Sequence, residues 1–336
     1  MDPIKRYVPS LEREMQRVVA PSVVGPDLIY NMLHYHLGWV DAQFNPSVSD
    51  GGKRVRPMLL LLTTEAQGGD WRHGLPAAAS IELLHNFTLI HDDIEDRDER
   101  RRGRPTLWSI WGVPQAINAG DALFTLAYRA LINLHETPLP DDRVIQALQK
   151  YTNATLRLTE GQCRDIAFET QDETSESDYL SMISGKTAAL IGLASELGGV
   201  VADASDQQLE RLQTFGVSLG KAFQMQDDLL GLWGDPDKTG KPVGSDILKH
   251  KKTLPIIHGT RNNLELRSLL AEPCLTEGDV IHALSLLEAT GSRSYTESQA
   301  QRYHREALAA LEDSGGQGEA QAMIHQLVLN LLNRRK

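Results

Sequence analysis

The chain has 336 residues, enough for one large domain or two ordinary ones. Its composition, 41% hydrophobic and 24% charged, suits a globular protein with a sizeable core, and its net charge of −11 argues against wholesale nucleic-acid binding, which calls for a basic footprint. Two cysteines, Cys163 and Cys274, make neither a disulfide framework nor a zinc set, as expected of a protein in a reducing cytoplasm. The apolar run at 58–62 is far too short to span a bilayer, and residues 1–14 lack the apolar centre of a secretion signal.

The chain reads as helices nearly throughout, because Leu, Ala, Glu and Gln are abundant and hairpin turn pairs are scarce. Helices are expected over about 27–45 and 54–68. The second opens on Gly51-Gly52-Lys53-Arg54-Val55-Arg56-Pro57, where two glycines before a helix start allow the backbone to approach an anion. This is not a nucleotide P-loop, whose spacing is absent. Pro76 opens a helix that meets neither Gly nor Pro before Gly103, with Ile81, Leu84, His85, Thr88 and Asp92 at helical spacing. Further helices are expected at about 114–135, 141–169, 176–198, 206–230, 247–262, 279–290, 295–312 and 319–334. The punctuation at 138–140, 231–244 and 314–318 marks turns, and no low-complexity linker divides the chain, so a single all-α domain over 1–336 is expected.

Two acidic clusters carry the chemistry. Asp92, Asp93 and Asp96 end the helix that Pro76 opens; Asp92 and Asp96 are four residues apart and share a face. The acids continue an apolar stripe of Leu84, Phe87, Leu89 and Ile90, which separates them from an ordinary solvated charge run. Asp227 and Asp228 repeat the pattern after Phe223 and Gln224. Clustered carboxylates of this type suit Mg²⁺, which binds through one or two carboxylates together with substrate phosphates. In helical bundles such sites are built from facing helices. Five arginines between Arg97 and Arg104 either balance the acids locally or grip a diphosphate in forked contacts; Arg101 and Arg102 are the candidates. Lys186, Lys241 and Lys251 add isolated cations, and His85 lies two turns before Asp92 on the same face. No Ser-His-Asp, Cys-nucleophile or zinc pattern competes.

Taken together, GGKRVRP at 51–57, LIHDDIEDRDERRRGRPT at 89–106, GKT at 185–187, FQMQDDLLGLWGD at 223–235, GKPVGSD at 240–246 and KKTLP at 251–255 resemble the trans-isoprenyl diphosphate synthases, or polyprenyl synthetases. The resemblance implies an antiparallel helical bundle around a central cavity, usually a homodimer. It implies a Mg²⁺-dependent transferase, with three ions expected per site, that ionises an allylic diphosphate and adds isopentenyl diphosphate to it. By the same resemblance Asp92, Asp96 and Asp227 would ligate Mg²⁺ with Asp93 and Asp228 in support. Arg101, Lys186, Lys241 and Lys251 would take the allylic diphosphate, and Lys53, Arg56, His85 and Arg102 the isopentenyl diphosphate. Thr187, Phe223 and Gln224 would lie beside the reacting carbons. Phe87 and Thr88, five and four residues before the first motif, would set chain length, which points to C20 first and C15 second. One departure stands out: Gly231 replaces the acid that often stands four residues after the first Asp of the second motif, and the helix is expected to end there. Asp235 is a candidate to compensate. A class I terpene cyclase and a non-catalytic regulatory subunit are the rival readings.

Overall fold

The computed structural model describes residues 3–21, 27–47, 52–171, 173–236 and 242–332. The fold is all-α. The helices run α1 Pro3–Val18, α2 Leu28–Leu37, α3 Val55–Ala66, α4 Leu75–Glu95, α5 Leu107–Trp111, α6 Val113–Ile132, α7 Asp141–Phe168, α8 Glu176–Ile183, α9 Ala189–Val201 and α10 Asp206–Trp233. They continue as α11 Ser245–Leu248, α12 Leu254–Asn262, α13 Leu264–Leu270, α14 Glu277–Ala289, α15 Ser292–Asp313 and α16 Gly318–Leu332. Between α4 and α5 a two-residue antiparallel hairpin pairs β1 Arg100–Arg101 with β2 Arg104–Pro105.

Two compact units are distinguished. The first comprises residues 1–149, 197–204 and 317–320, and the second 150–196, 205–316 and 321–336. In the first, α4 packs along α6, and α1 and α3 close over α4. Its core is aliphatic and fully buried: Leu11 and Met15 of α1, Leu59 to Leu62 of α3, Ile81, Leu83 and Leu84 of α4, and Leu123 and Leu131 of α6. In the second, α10 packs along α15. Phe168, Tyr179, Met182, Ile183, Met225, Leu254 and Tyr303 form one cluster there, and Leu232, Ile247, Ile256, Leu266 and Leu287 another.

The structure corrects several expected helix ends. The helix opened by Pro76 does end among the acids, at Glu95, although no Gly or Pro follows before Gly103. The amide of Arg97 donates to Ile94 O at 3.3 Å and that of Asp98 to Asp93 O at 3.0 Å, with Arg97 at φ 55°. That is a Schellman termination with arginine in the left-handed place usually held by glycine, so the usual stop signal is missing. Conversely, α10 does not end at Gly231 but runs on to Trp233. A glycine inside a helix costs only about 1 kcal/mol against alanine, which the packing of a long helix absorbs. The helix expected over 27–45 ends at Leu37, where Gly38 takes φ 88°. The stretch expected as 176–198 is interrupted by a π-turn over Ser184–Ala188.

Candidate active site

The acids of the first cluster sit at the C-terminal end of α4, Asp96 serving as its C-cap. Carboxylates at a helix C-terminus oppose the helix dipole and one another, so the arrangement is stabilised by a cation. Asp92 is half-buried and Asp96 exposed. Asp93 turns inward and is 2% exposed. The Arg101 Nε–H donates to its Oδ1 at 2.7 Å. Burial nevertheless pushes the Asp93 carboxyl up to about 6, with Arg101 opposing the rise.

Beside these acids the first unit gathers cations. The Arg102 guanidinium lies against Gly52: a Cβ built at that glycine, whose φ is +94°, would meet Nη2 at 2.5 Å and Cζ at 2.8 Å. Arg56 Nη1 and His85 Nε2 are 3.3 Å apart. Arginine has no acceptor, so His85 accepts at Nε2 and its proton sits on Nδ1. Burial, then Arg56, Arg102 and Arg101, hold His85 well below the ordinary histidine value, so it stays neutral. Lys53 is exposed at the start of this cluster.

Arg54, Arg100 and Arg104 are occupied in holding the fold. Arg54 is buried, with Nη1 donating to Glu82 Oε1 at 2.6 Å and Nη2 2.8 Å from Glu12 Oε1. Arg104 stacks on Tyr35 with its Cζ 4.0 Å from the ring centre and donates to Val40 O at 2.8 Å, tying the hairpin to α2. Arg100 donates to Gly103 O at 2.6 Å. His36, which sequence reasoning passed over, is half-buried near Arg101, Arg102 and Arg104 with its Nε2 enclosed, and desolvation and these cations lower it to about 3. Nothing in the spacing of His36 distinguished it from any histidine on a helix. Phe87 contacts Phe124 of α6, with ring centres 5.0 Å apart, and Phe124 contacts Tyr128 at 5.2 Å. The Thr88 hydroxyl is spent on His85 O at 2.8 Å.

In the second unit a hydrogen-bond chain converges on Asp228. The Thr187 hydroxyl donates to Gln224 Oε1 at 2.7 Å, and Gln224 Nε2 donates to Asp228 Oδ1 at 3.0 Å. Asp228 Oδ2 accepts from the Tyr179 hydroxyl at 2.6 Å and from the Leu254 amide at 3.3 Å. Burial pushes Asp228 up to about 7 despite these donors. Burial and the facing Asp228 push the Tyr179 hydroxyl well above its usual value. Asp227, one residue earlier, is half-buried. Lys186 pairs with Asp165 of α7. The π-turn that carries Lys186 and Thr187 lies directly on α7: a Cβ at Gly185 would meet Gly161 Cα at 2.9 Å. Such turns recur where a helix re-aims functional side chains. Lys251 is exposed just before α12, Phe223 is half-buried on α10, and Lys241 lies outside the described residues. Tyr179 and Asp165 escaped the sequence reading because each meets its partner only through tertiary packing.

Among the described residues, no three of His, Cys, Asp and Glu converge closely enough to hold a metal ion unaided. Asp92 and Asp96 in the first unit, and Asp227 in the second, each offer hard oxygens that are at least partly exposed. They fit Mg²⁺, which takes its remaining ligands from water and phosphate.

An all-helical chain with Asp-rich helix ends and a separate cationic cluster defines an isoprenoid-synthase-type transferase. The model of the Polyprenyl synthetase family matches residues 38–287. The geranylgeranyl diphosphate synthase of Mycobacterium tuberculosis (strain ATCC 25618 / H37Rv) is 42% identical over 289 residues, covering 84% of this chain and 81% of that protein. A (2E,6E)-farnesyl diphosphate synthase of the same strain is 36% identical over 312 residues, covering 90% and 86%. The crystal structure of a polyprenyl synthetase from Streptomyces coelicolor A3(2) matches with TM-score 0.88 at 35% identity, covering 98% of this chain and 97% of that one. The chain belongs to the polyprenyl synthetase family. Its activity is that of a trans-prenyltransferase, and Mg²⁺ dependence is typical of the family. No helix among the described residues is long and apolar enough to cross a membrane.

Proposed function

We propose that the protein condenses isopentenyl diphosphate with an allylic diphosphate and releases a C20 product, geranylgeranyl diphosphate, with C15 farnesyl diphosphate the alternative. The observation that carries the synthase reading is the cluster of Lys53, Arg56, neutral His85 and Arg102 beside the acid-bearing end of α4. A terpene cyclase takes one diphosphate and has no use for such a second anion site. The aromatic contacts of Phe87 with Phe124, and of Phe124 with Tyr128, support a short product by placing bulk one helical turn below the first motif.

In this reading Asp92, Asp96 and Asp227 would hold Mg²⁺, with three ions expected, while Asp93 and Asp228 would act from behind. Mg²⁺ held there would supply positive charge against the charge that builds on the leaving diphosphate. Arg101, Lys186, Lys241 and Lys251 contribute cations to the same diphosphate. Lys53, Arg56 and Arg102 bind the isopentenyl diphosphate, and His85, kept neutral, donates from Nδ1 without adding charge. The Thr187–Gln224–Asp228 chain fixes the Gln224 amide, so its dipole is set before the allylic cation forms. Water must be kept out, because it would quench that cation. The proton lost from the new chain goes to the released diphosphate, the nearest strong acceptor. A pH–rate profile governed by one cavity side chain, and abolished by replacing it, would contradict that assignment.

We take the chain as a single catalytic domain and place the enzyme in the cytoplasm as a homodimer. Exposed Ile110 of α5 and exposed Val113 and Ile117 of α6 support the pairing of two copies. The deciding experiment incubates the purified chain with Mg²⁺, isopentenyl diphosphate and each of the C5, C10 and C15 allylic diphosphates, then reads product length. C20 alcohol after phosphatase treatment is expected. No elongation from any starter would sink the synthase reading, and cyclic hydrocarbon would turn it into a cyclase.

A further inference from the structure

We propose that Asp246 supplies the acid that position 231 lacks, completing the second acidic motif in space rather than in sequence. The inference deepens the synthase reading and rests on it. Gly231 follows Asp227 by four residues, the interval that separates Asp96 from Asp92. A side chain there would emerge one turn beyond Asp227 on the same face of α10. That place is already filled. A Cβ built at Gly231 would meet Asp246 Cγ at 2.5 Å and Oδ1 at 3.0 Å, with Oδ2 closer still. The carboxylate of Asp246 therefore stands where the missing side chain would begin.

The position is built. The Ser245 hydroxyl donates to Gly231 O at 3.2 Å, and the Gly244 amide donates to Leu232 O at 3.1 Å. These two bonds dock the start of α11 on the last turn of α10. Ile247 is buried with Leu232 and Ile256, which fixes the other side of α11. The Lys251 amide closes back on Asp246 O at 3.0 Å. Asp246 also lies close enough to Asp228 to disfavour its charged form. Asp235, the next acid in the chain, is exposed beyond the end of α10. Asp246, rather than Asp235, is thus the residue that compensates for Gly231. A side chain at 231 would force the Asp246 carboxylate to shift from this place.

The test compares the full-length wild-type chain with Asp246→Asn, Asp235→Asn, Gly231→Asp and the exchange Gly231→Asp/Asp246→Gly. Mn²⁺ binding in the presence of inorganic pyrophosphate is read by electron paramagnetic resonance, alongside the Mg²⁺ midpoint of prenyl transfer. Circular dichroism melts of the metal-free proteins report folding. Asp246→Asn is expected to weaken Mn²⁺ binding about tenfold or more, the usual effect of losing an acid at or next to a metal. Asp235→Asn should stay within about twofold of wild type on the same scale. Gly231→Asp should weaken binding, and the exchange should bring it back to within about threefold of wild type, since one acid again stands one turn past Asp227. Wild-type Mn²⁺ binding by Asp246→Asn overturns the proposal. So does an exchange variant that melts normally yet binds no better than Asp246→Asn. If the exchange variant does not fold, the Asp246→Asn titration decides alone. The Mn²⁺ titration does not depend on turnover, so a wild-type chain that fails to elongate any starter defeats the synthase reading while leaving this comparison standing.

Discussion

Arg54→Met separates the structural from the substrate-binding part of the GGKRVRP element. Arg54 and Glu82 are each 4% exposed and 2.6 Å apart, and Arg54 also reaches Glu12 at 2.8 Å. Removing the guanidinium leaves the Glu82 carboxylate buried with only the Asn86 amide donating to Oε1, at 3.1 Å. Breaking one side of a buried ion pair in this way costs about 3–5 kcal/mol. Unfolding entropy is about 2.1 cal/mol/K per residue, so a cooperative unit of this chain's length would melt about 4–7 °C lower. The double variant Arg54→Met/Glu82→Met should recover most of the loss, because replacing the whole pair by apolar groups leaves no orphaned charge. The assay is a thermal melt run beside KM measurements for isopentenyl diphosphate. Arg54→Met should lower the melting temperature and leave KM near wild type, whereas Lys53→Ala should raise KM and leave the melt unchanged. A raised KM with an unchanged melt in Arg54→Met would refute the structural assignment and make Arg54 a substrate ligand.

Other substitutions and conditions have equally definite outcomes. Phe87→Ala removes the ring that contacts Phe124, and the product, read by chromatography of the dephosphorylated alcohol, should lengthen beyond C20; an unchanged length removes Phe87 as the limit. Tyr179→Phe takes a donor from buried Asp228, which costs about 1.5–3 kcal/mol for a bond to a charged group and should push that carboxyl above about 7, so a melt at pH 8 should show a larger loss than one at pH 6. His36 is held neutral, its value lowered to about 3, so its contribution to stability is full above its unfolded value near 6.5 and declines as pH falls toward 3. His36→Phe should flatten that acid limb in denaturant titrations between pH 7 and 4; an unchanged slope would show that His36 is solvated.

How much was legible in the chain depended on whether the deciding interaction was local. Both acidic motifs and the GGK loop could be read because spacing on one helix or one loop brings their groups together. The way α4 terminates could not, since arginine at 97 adopts a left-handed conformation that local propensity assigns to glycine. The roles of the arginines were equally hidden. Arg54 and Arg104 look like their neighbours in sequence, yet one is buried against Glu82 and the other stacks on Tyr35. Tyr179 donates to an acid 49 residues away, and Asp165 meets Lys186 across 21, distances at which no periodicity speaks.

The sequence by itself determined the helical class, the two acidic helix ends, the cationic elements and through them the family, because helical period and residue chemistry are local properties. Tertiary structure alone decided which carboxylates are turned inward, which arginines are committed to the fold, and what stands over Gly231. Those outcomes depend on burial and on contacts between segments far apart in the chain. At Gly231 the sequence shows an acid missing, and only the docking of α11 on α10 brings another to its place.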